Sequence, residues 1–152
     1  MKTVKILMLL CMISTFAGAQ DTTKYNFSFN HLALSVTDLN RAAEFYMKVF
    51  QFKEITNRTA MPGIRWIAMG EGKELHLIST LKEPVTTNKA VHLSLATRHI
   101  DAFEMRLVAL KIPYSDWPGK PNAVNVRADG VKQIYFQDPD GYWIEVNNGY
   151  AK

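Results

Sequence analysis

His31-Leu32-Ala33-Leu34-Ser35 and, 61 positions later, His92-Leu93-Ser94-Leu95-Ala96 are two versions of one short pattern. Each run begins on a histidine and then alternates leucine with small side chains. Alternation with a period of two marks a strand, because successive side chains point to opposite faces. One face carries Leu32 and Leu34, or Leu93 and Leu95. The other carries His31, Ala33 and Ser35, or His92, Ser94 and Ala96. The leucine faces suit packing under a helix. The histidine faces present one imidazole and then small groups, which leaves room for a substrate or a bound water.

The same order of elements follows each strand. After the first, Thr37 or Asp38 is placed to cap a helix in which Leu39, Ala42, Ala43, Tyr46, Val49 and Phe50 recur at helical spacing. Residues 53–59, 64–69 and 74–79 read as strands, broken by Pro62-Gly63 and Gly70-Glu71-Gly72. A polar linker covers 82–90. The pattern then restarts with a strand over 92–97 and a helix marked by Ile100, Phe103, Leu107 and Leu110. A short strand is expected near 112–115 and a loop over 117–122. Strands over 132–137 and 142–147 are joined by Asp138-Pro139-Asp140-Gly141. The expected fold is α+β, with paired βαβββ modules over residues 28–81 and 90–149.

The N-terminus has the layout of a cleaved signal peptide over residues 1–19. Lys2 and Lys5 precede the short apolar run 6–13, and Ala17-Gly18-Ala19 supplies small residues for cleavage before Gln20. The expected mature domain is 20–152, exported to the periplasm or secreted. The formal charge of the 152-residue chain is +4, and without Lys2 and Lys5 it falls to +2. That is too little to point to nucleic acid, or to a membrane once the signal is removed. Cys11, the only cysteine, lies within the signal. Disulfides, thiolate ligands and a cysteine nucleophile are therefore excluded from the mature chain, and a metal must be held by nitrogen and oxygen.

Such donors stand on the two histidine faces and on the last strand of each module. His76 shares a face with Glu74 and Ile78; Glu145 shares one with Trp143 and Asn147. Burying a carboxylate among apolar neighbours is costly unless it is paired or bound to a metal. His31, His76, His92 and Glu145 are therefore the candidate ligands. They suit one divalent ion per site: Zn, Ni, Co, Fe or Mn. His99 falls outside the repeat and is expected to face solvent at the start of the second helix. Tyr135 is a candidate to meet the substrate from the penultimate strand, and Arg127 from a surface turn. Trp66 and Trp143 read as core or cavity wall.

These residues resemble a family. Asn30 to Val36, then Asp38-Leu39 and Ala43-Glu44-Phe45-Tyr46, look like the opening of vicinal oxygen chelate proteins. That superfamily includes glyoxalase I, fosfomycin-resistance proteins, extradiol dioxygenases and bleomycin-binding proteins. Gln137-Asp138-Pro139-Asp140-Gly141-Tyr142-Trp143-Ile144-Glu145-Val146 is similar to the close of glyoxalase I. The resemblance implies curled mixed sheets around a metal at His31, His76, His92 and Glu145. It also implies a small-molecule substrate that chelates through adjacent oxygens, and pairing of modules within one chain or across a homodimer. In glyoxalase I the carboxylate at the Glu145 position shuttles a proton, so Glu145 is the expected catalytic base. Ser35 falls where glyoxalase I grips glutathione with an arginine, and Thr80 where it has an asparagine. His76 replaces the usual carboxylate, and Ala33 replaces the threonine of fosfomycin-type proteins.

The first expectation is thus a metal-dependent lyase or isomerase like lactoylglutathione lyase. The alternatives are a resistance enzyme or extradiol dioxygenase of the same fold, or an exported binding protein without catalysis.

Overall fold

The computed structural model describes residues 24–80, 83 and 85–150. The signal expected over 1–19 lies outside the described residues. The first unit runs β1 (His31–Ser35), α1 (Leu39–Phe50), β2 (Lys53–Ile55), β3 (Ile64–Gly70) and β4 (Lys73–Ile78). The second runs β5 (His92–Ala96), α2 (Ile100–Ala109), β6 (Asn125–Val126), β7 (Lys132–Gln137) and β8 (Trp143–Asn147). Each unit is βαβββ and forms one four-stranded mixed sheet, in the orders β1-β4-β3-β2 and β5-β8-β7-β6. Both first strands are therefore sheet edges. Among the described residues no helix is long and apolar enough to cross a membrane.

The registers repeat. In the parallel pair β1/β4, Ala33 lies opposite His76. In β5/β8, Ser94 lies opposite Glu145. The neighbouring antiparallel strands put Trp66 beside His76 and Tyr135 beside Glu145. His76 and Glu145 thus occupy matching positions of the two sheets.

The leucine faces make the core. Leu34, Val36, Ile67, Leu75 and Leu77 of the first sheet join Ile134, Phe136, Ile144 and Val146 of the second in one buried cluster. α1 contributes Ala42, Ala43, Tyr46 and Val49 along its buried stripe. Its N-cap is Asp38, whose Oδ1 accepts from the backbone N–H groups of Asn40 and Arg41 at 3.0 Å each. At its other end Arg106 of α2 donates to the carbonyls of Lys48 and Val49, which the helix leaves without internal partners.

Three further contacts lock the units together. Phe50 stacks on Phe103 at 5.5 Å and on Phe136 at 6.0 Å. Tyr46, fully buried, donates to Asp138 Oδ2 at 2.9 Å. Asp140 Oδ1 accepts from both the N–H and the hydroxyl of Thr37.

Two elements differ from the sequence expectation. β2 ends at Ile55, because Asn57 Oδ1 turns back to accept from the N–H and hydroxyl of Thr59. The strand expected near 112–115 reduces to one paired residue, Ser115, which exchanges two hydrogen bonds with Tyr135. Pro113 has no N–H to extend that ladder. The fourth strand of the second sheet is β6 instead.

Candidate metal centre

The four candidate ligands form two pairs. Both members of each pair stand on the face of their sheet opposite the shared core, so both pairs turn away from the junction between the units. Among the described residues no three His, Cys, Asp or Glu side chains converge to hold a metal ion.

Glu145 and His92 make the more elaborate pair. Glu145 is 5% exposed. Its Oε1 accepts from Asn147 at 2.7 Å and Ser94 at 3.1 Å, and its Oε2 accepts from Tyr135 at 2.7 Å. Burial pushes the carboxyl up, but hydrogen bonds from Tyr135, Gln133, Asn147 and Ser94 outweigh it and hold the group below the usual carboxylate range. Burial, with the bond to Glu145, raises the Tyr135 hydroxyl far above its ordinary value, so it stays a neutral donor.

His92 Nδ1 lies 2.8 Å from the carbonyl of Lys89. A carbonyl only accepts, so Nδ1 carries a hydrogen, and the neutral tautomer with that hydrogen presents a lone pair at Nε2. That nitrogen faces Glu145 Oε2 at 3.3 Å. In that tautomer two acceptors face one another, an arrangement that a divalent cation completes. A backbone carbonyl that fixes the other ring nitrogen is the usual support of a metal-binding imidazole. This donor set fits a divalent metal.

In the first unit His31 Nδ1 lies 2.6 Å from Asn30 Oδ1, which likewise leaves Nε2 free. His76 is held differently. Its Nε2 lies 2.9 Å from Glu74 Oε2, and its ring is stacked between Trp66 and His31.

Aromatic groups and one cation flank the His92 pair. Trp117 presents itself edge-on to the rings of His92 and Tyr135. The Lys89 ammonium lies over the faces of Trp143 at 4.8 Å and Tyr135 at 5.1 Å. It donates to Ser115 Oγ and to the carbonyls of Asp116 and Trp117, and its burial lowers its pKa. A cavity of about 300 Å³ is lined by Leu32 and Leu34 of β1, His92 and Ser94 of β5, and Trp143. A larger cleft of about 470 Å³ lies around Phe50, Phe52 and Phe103 and touches none of the four candidate ligands.

Of the expected substrate contacts, Tyr135 lies at the site. Ser35 contributes its carbonyl to the Tyr142 hydroxyl, and Arg127 pairs with Asp129 at 2.6 Å on a surface turn. Trp66 and Trp143 are walls, as expected, but each also stacks on a polar partner. Sequence reasoning missed Lys89, Trp117, Gln133 and Arg58. Ser94, on the His92 face, and Asn147, on the Glu145 face, carried a signal.

Comparison with known proteins agrees with the fold. The family described as "Glyoxalase/Bleomycin resistance protein/Dioxygenase superfamily" matches residues 28–146. The metallothiol transferase FosB of Shouchella clausii is 30% identical over 124 residues, which cover 79% of each chain. Two solved structures share the fold at 21% identity, each covering 83% of this chain and 96% of its own. They are lactoylglutathione lyase from Agrobacterium tumefaciens, with a TM-score of 0.64, and the fosfomycin resistance protein FosX from Listeria monocytogenes, with a TM-score of 0.63.

Proposed function

The chain belongs to the glyoxalase, bleomycin resistance and dioxygenase superfamily, and we propose that it is an exported metal-dependent enzyme whose small substrate binds through two adjacent oxygens. The observation that carries this reading is the His92–Glu145 pair, whose Nε2 and Oε2 face each other at 3.3 Å with the ring hydrogen fixed elsewhere. His31, with His76 beside it, completes the donor set from a second copy of the chain. The two pairs of one chain face away from their shared core, so a homodimer is the simplest way to join them.

When bound, the cation supplies Lewis acidity to the substrate oxygens. The protein's part is to hold and to shape. The Lys89 carbonyl keeps Nε2 of His92 available, and Tyr135, Ser94 and Asn147 fix both oxygens of Glu145. Trp117, Tyr135 and Trp143 wall the site with apolar surface.

A general base works best with a pKa near the working pH. Glu145 is held below the ordinary carboxylate range and gripped through both oxygens. That suits an anion that stays in place better than one that carries a proton. It favours transfer of an external thiol, the chemistry named in the FosB relative, over proton transfer of the glyoxalase type with Glu145 as base. The lyase reading stays second, supported by the shared closing run.

The test loads purified protein in turn with Zn²⁺, Ni²⁺, Co²⁺, Fe²⁺ and Mn²⁺. Each form is given fosfomycin with a small thiol, or methylglyoxal with glutathione. Thiol-dependent loss of fosfomycin supports the transferase. Thioester formation that disappears in Glu145→Gln while metal is retained supports the lyase. Protein that binds none of these metals overturns both.

A further inference from the structure

Lys89 stands in the turn before β5, and its side chain reaches the loop that carries Trp117. The ammonium donates to the Ser115 hydroxyl at 3.0 Å and to the carbonyls of Asp116 at 2.8 Å and Trp117 at 3.2 Å. Trp117 in turn meets the rings of His92 at 6.4 Å and Tyr135 at 5.4 Å, and 46% of it is exposed.

We propose that Lys89 is a positioning residue: its ammonium clamps the loop so that the Trp117 indole becomes the wall against which the organic body of a chelated substrate rests. The pair thereby sets which substrates fit. This rests on the proposed metal site and deepens it.

Three observations carry it. The first is that the loop has no other hold at its tip. Asp116 ties the loop only to itself: its Oδ1 accepts from the N–H groups of Gly119 and Lys120, and its own N–H donates to the Lys120 carbonyl. Among the described residues, every hydrogen bond from 116–120 to a residue outside the loop comes from Lys89. The second is that the ammonium is fully used. It has three N–H donors and three acceptors, and the faces of Trp143 and Tyr135 cover it further. No donor remains for an anionic substrate, so the residue acts through the loop. The third is what the clamp leaves open. Trp117 is held through its carbonyl, and its half-exposed indole lies edge-on to His92 and to Tyr135, the donor to Glu145 Oε2. Uncovered aromatic surface beside the ligand pair favours a flat or apolar substituent on whatever chelates there.

The two ends of Lys89 have separable roles. Its carbonyl fixes Nδ1 of His92 and belongs to the backbone, so it survives substitution. Lys89→Met keeps the aliphatic stem and removes the ammonium alone.

The test has two arms. In metal-free protein, hydrogen–deuterium exchange over 116–122 should be about tenfold faster in Lys89→Met, because the loop loses its charged donor. In Co²⁺-loaded protein, the visible absorption of the ion reads the binding of benzohydroxamate and acetohydroxamate. These share one pair of chelating oxygens and differ as phenyl against methyl. Lys89→Met and Trp117→Ala should each weaken benzohydroxamate about fivefold, the scale of one aromatic contact, and leave acetohydroxamate within about twofold. The double variant should lose no more than Trp117→Ala alone, since both act through one wall. Lys89→Gln takes the place of the methionine variant if that protein does not fold. Unchanged exchange, or equal losses for the two hydroxamates, overturns the inference while leaving the metal site standing. Wild-type protein that binds no Co²⁺, Zn²⁺ or Mn²⁺ overturns the inference together with the reading beneath it.

Discussion

Glu145 is buried yet ionised because four neighbours donate to it, and that balance gives it a pH signature. Its folded pKa lies below the unfolded value of 4.5. A carboxyl of this kind stabilises the fold above the unfolded pKa, and the contribution is lost as pH falls through the folded pKa. Glu145→Gln turns an amide N–H₂ toward groups that are already donors. Its expected cost at pH 7, without metal, is about 2 kcal/mol, within the range for hydrogen bonds to a charged group. Urea unfolding at pH 7 and again near pH 3.5 checks the sign: the gap between wild type and variant should narrow on acidification. Asp138 does not confuse the comparison. Burial raises its pKa, so it acts in the opposite direction, but it is present in both proteins. The ligand types were legible in the sequence because alternation assigns each side chain to a face. Of the donors to Glu145, Ser94, Asn147 and Tyr135 were legible in the same way, and Gln133 was not. Gln133 reaches it only through the β7–β8 register, and Lys89 takes its place only once the loop carrying Trp117 folds over β7.

Elements with a strong period and a clear stop were readable. α1 shows its apolar stripe and its Asp38 cap, and β7 shows the run Ile134-Tyr135-Phe136 stopped by the turn that begins at Asp138. The fourth strand of the second sheet was not readable. Asn125 and Val126 have no run around them, and the pairing of Ser115 depends on Tyr135 far along the chain. The turn after β7 illustrates how one element serves another. Asp138 Oδ1 accepts from the N–H groups of Asp140 and Tyr142, and Gly141 closes the turn at φ +88°, where a side chain would be strained. This shape sets the β7–β8 register and so the position of Glu145. It also aims Asp138 Oδ2 at Tyr46 of α1. Tyr46→Phe should therefore cost about 1–2 kcal/mol in unfolding free energy, since a buried carboxylate loses a donor. Thermal or urea unfolding reads that loss, and Tyr135→Phe, which removes a donor from Glu145 instead, should also weaken metal retention.

At the scale of the whole molecule, the repeat announced two similar units but not which faces would meet. Each leucine face had two possible covers, its own helix or the other unit. The structure uses both, through α1 and through the shared cluster around Tyr46, Phe50 and Phe136. The histidine faces are thereby turned away from the shared core, and β1 and β5 are left as sheet edges. A metal site that joins His31 to His92 and Glu145 then needs two copies, and this has a consequence that a site within one chain does not share. In a dimer of His31→Ala with Glu145→Ala, one junction carries both lesions. The other pairs an intact His31 with an intact His92 and Glu145. Each variant alone should bind no metal at the site. Mixed dimers, isolated through two different affinity tags after unfolding and refolding together, should bind one ion per dimer. Mixed dimers that bind no more than either parent would place all three ligands on one chain, and the two units would then have to rearrange to bring them together.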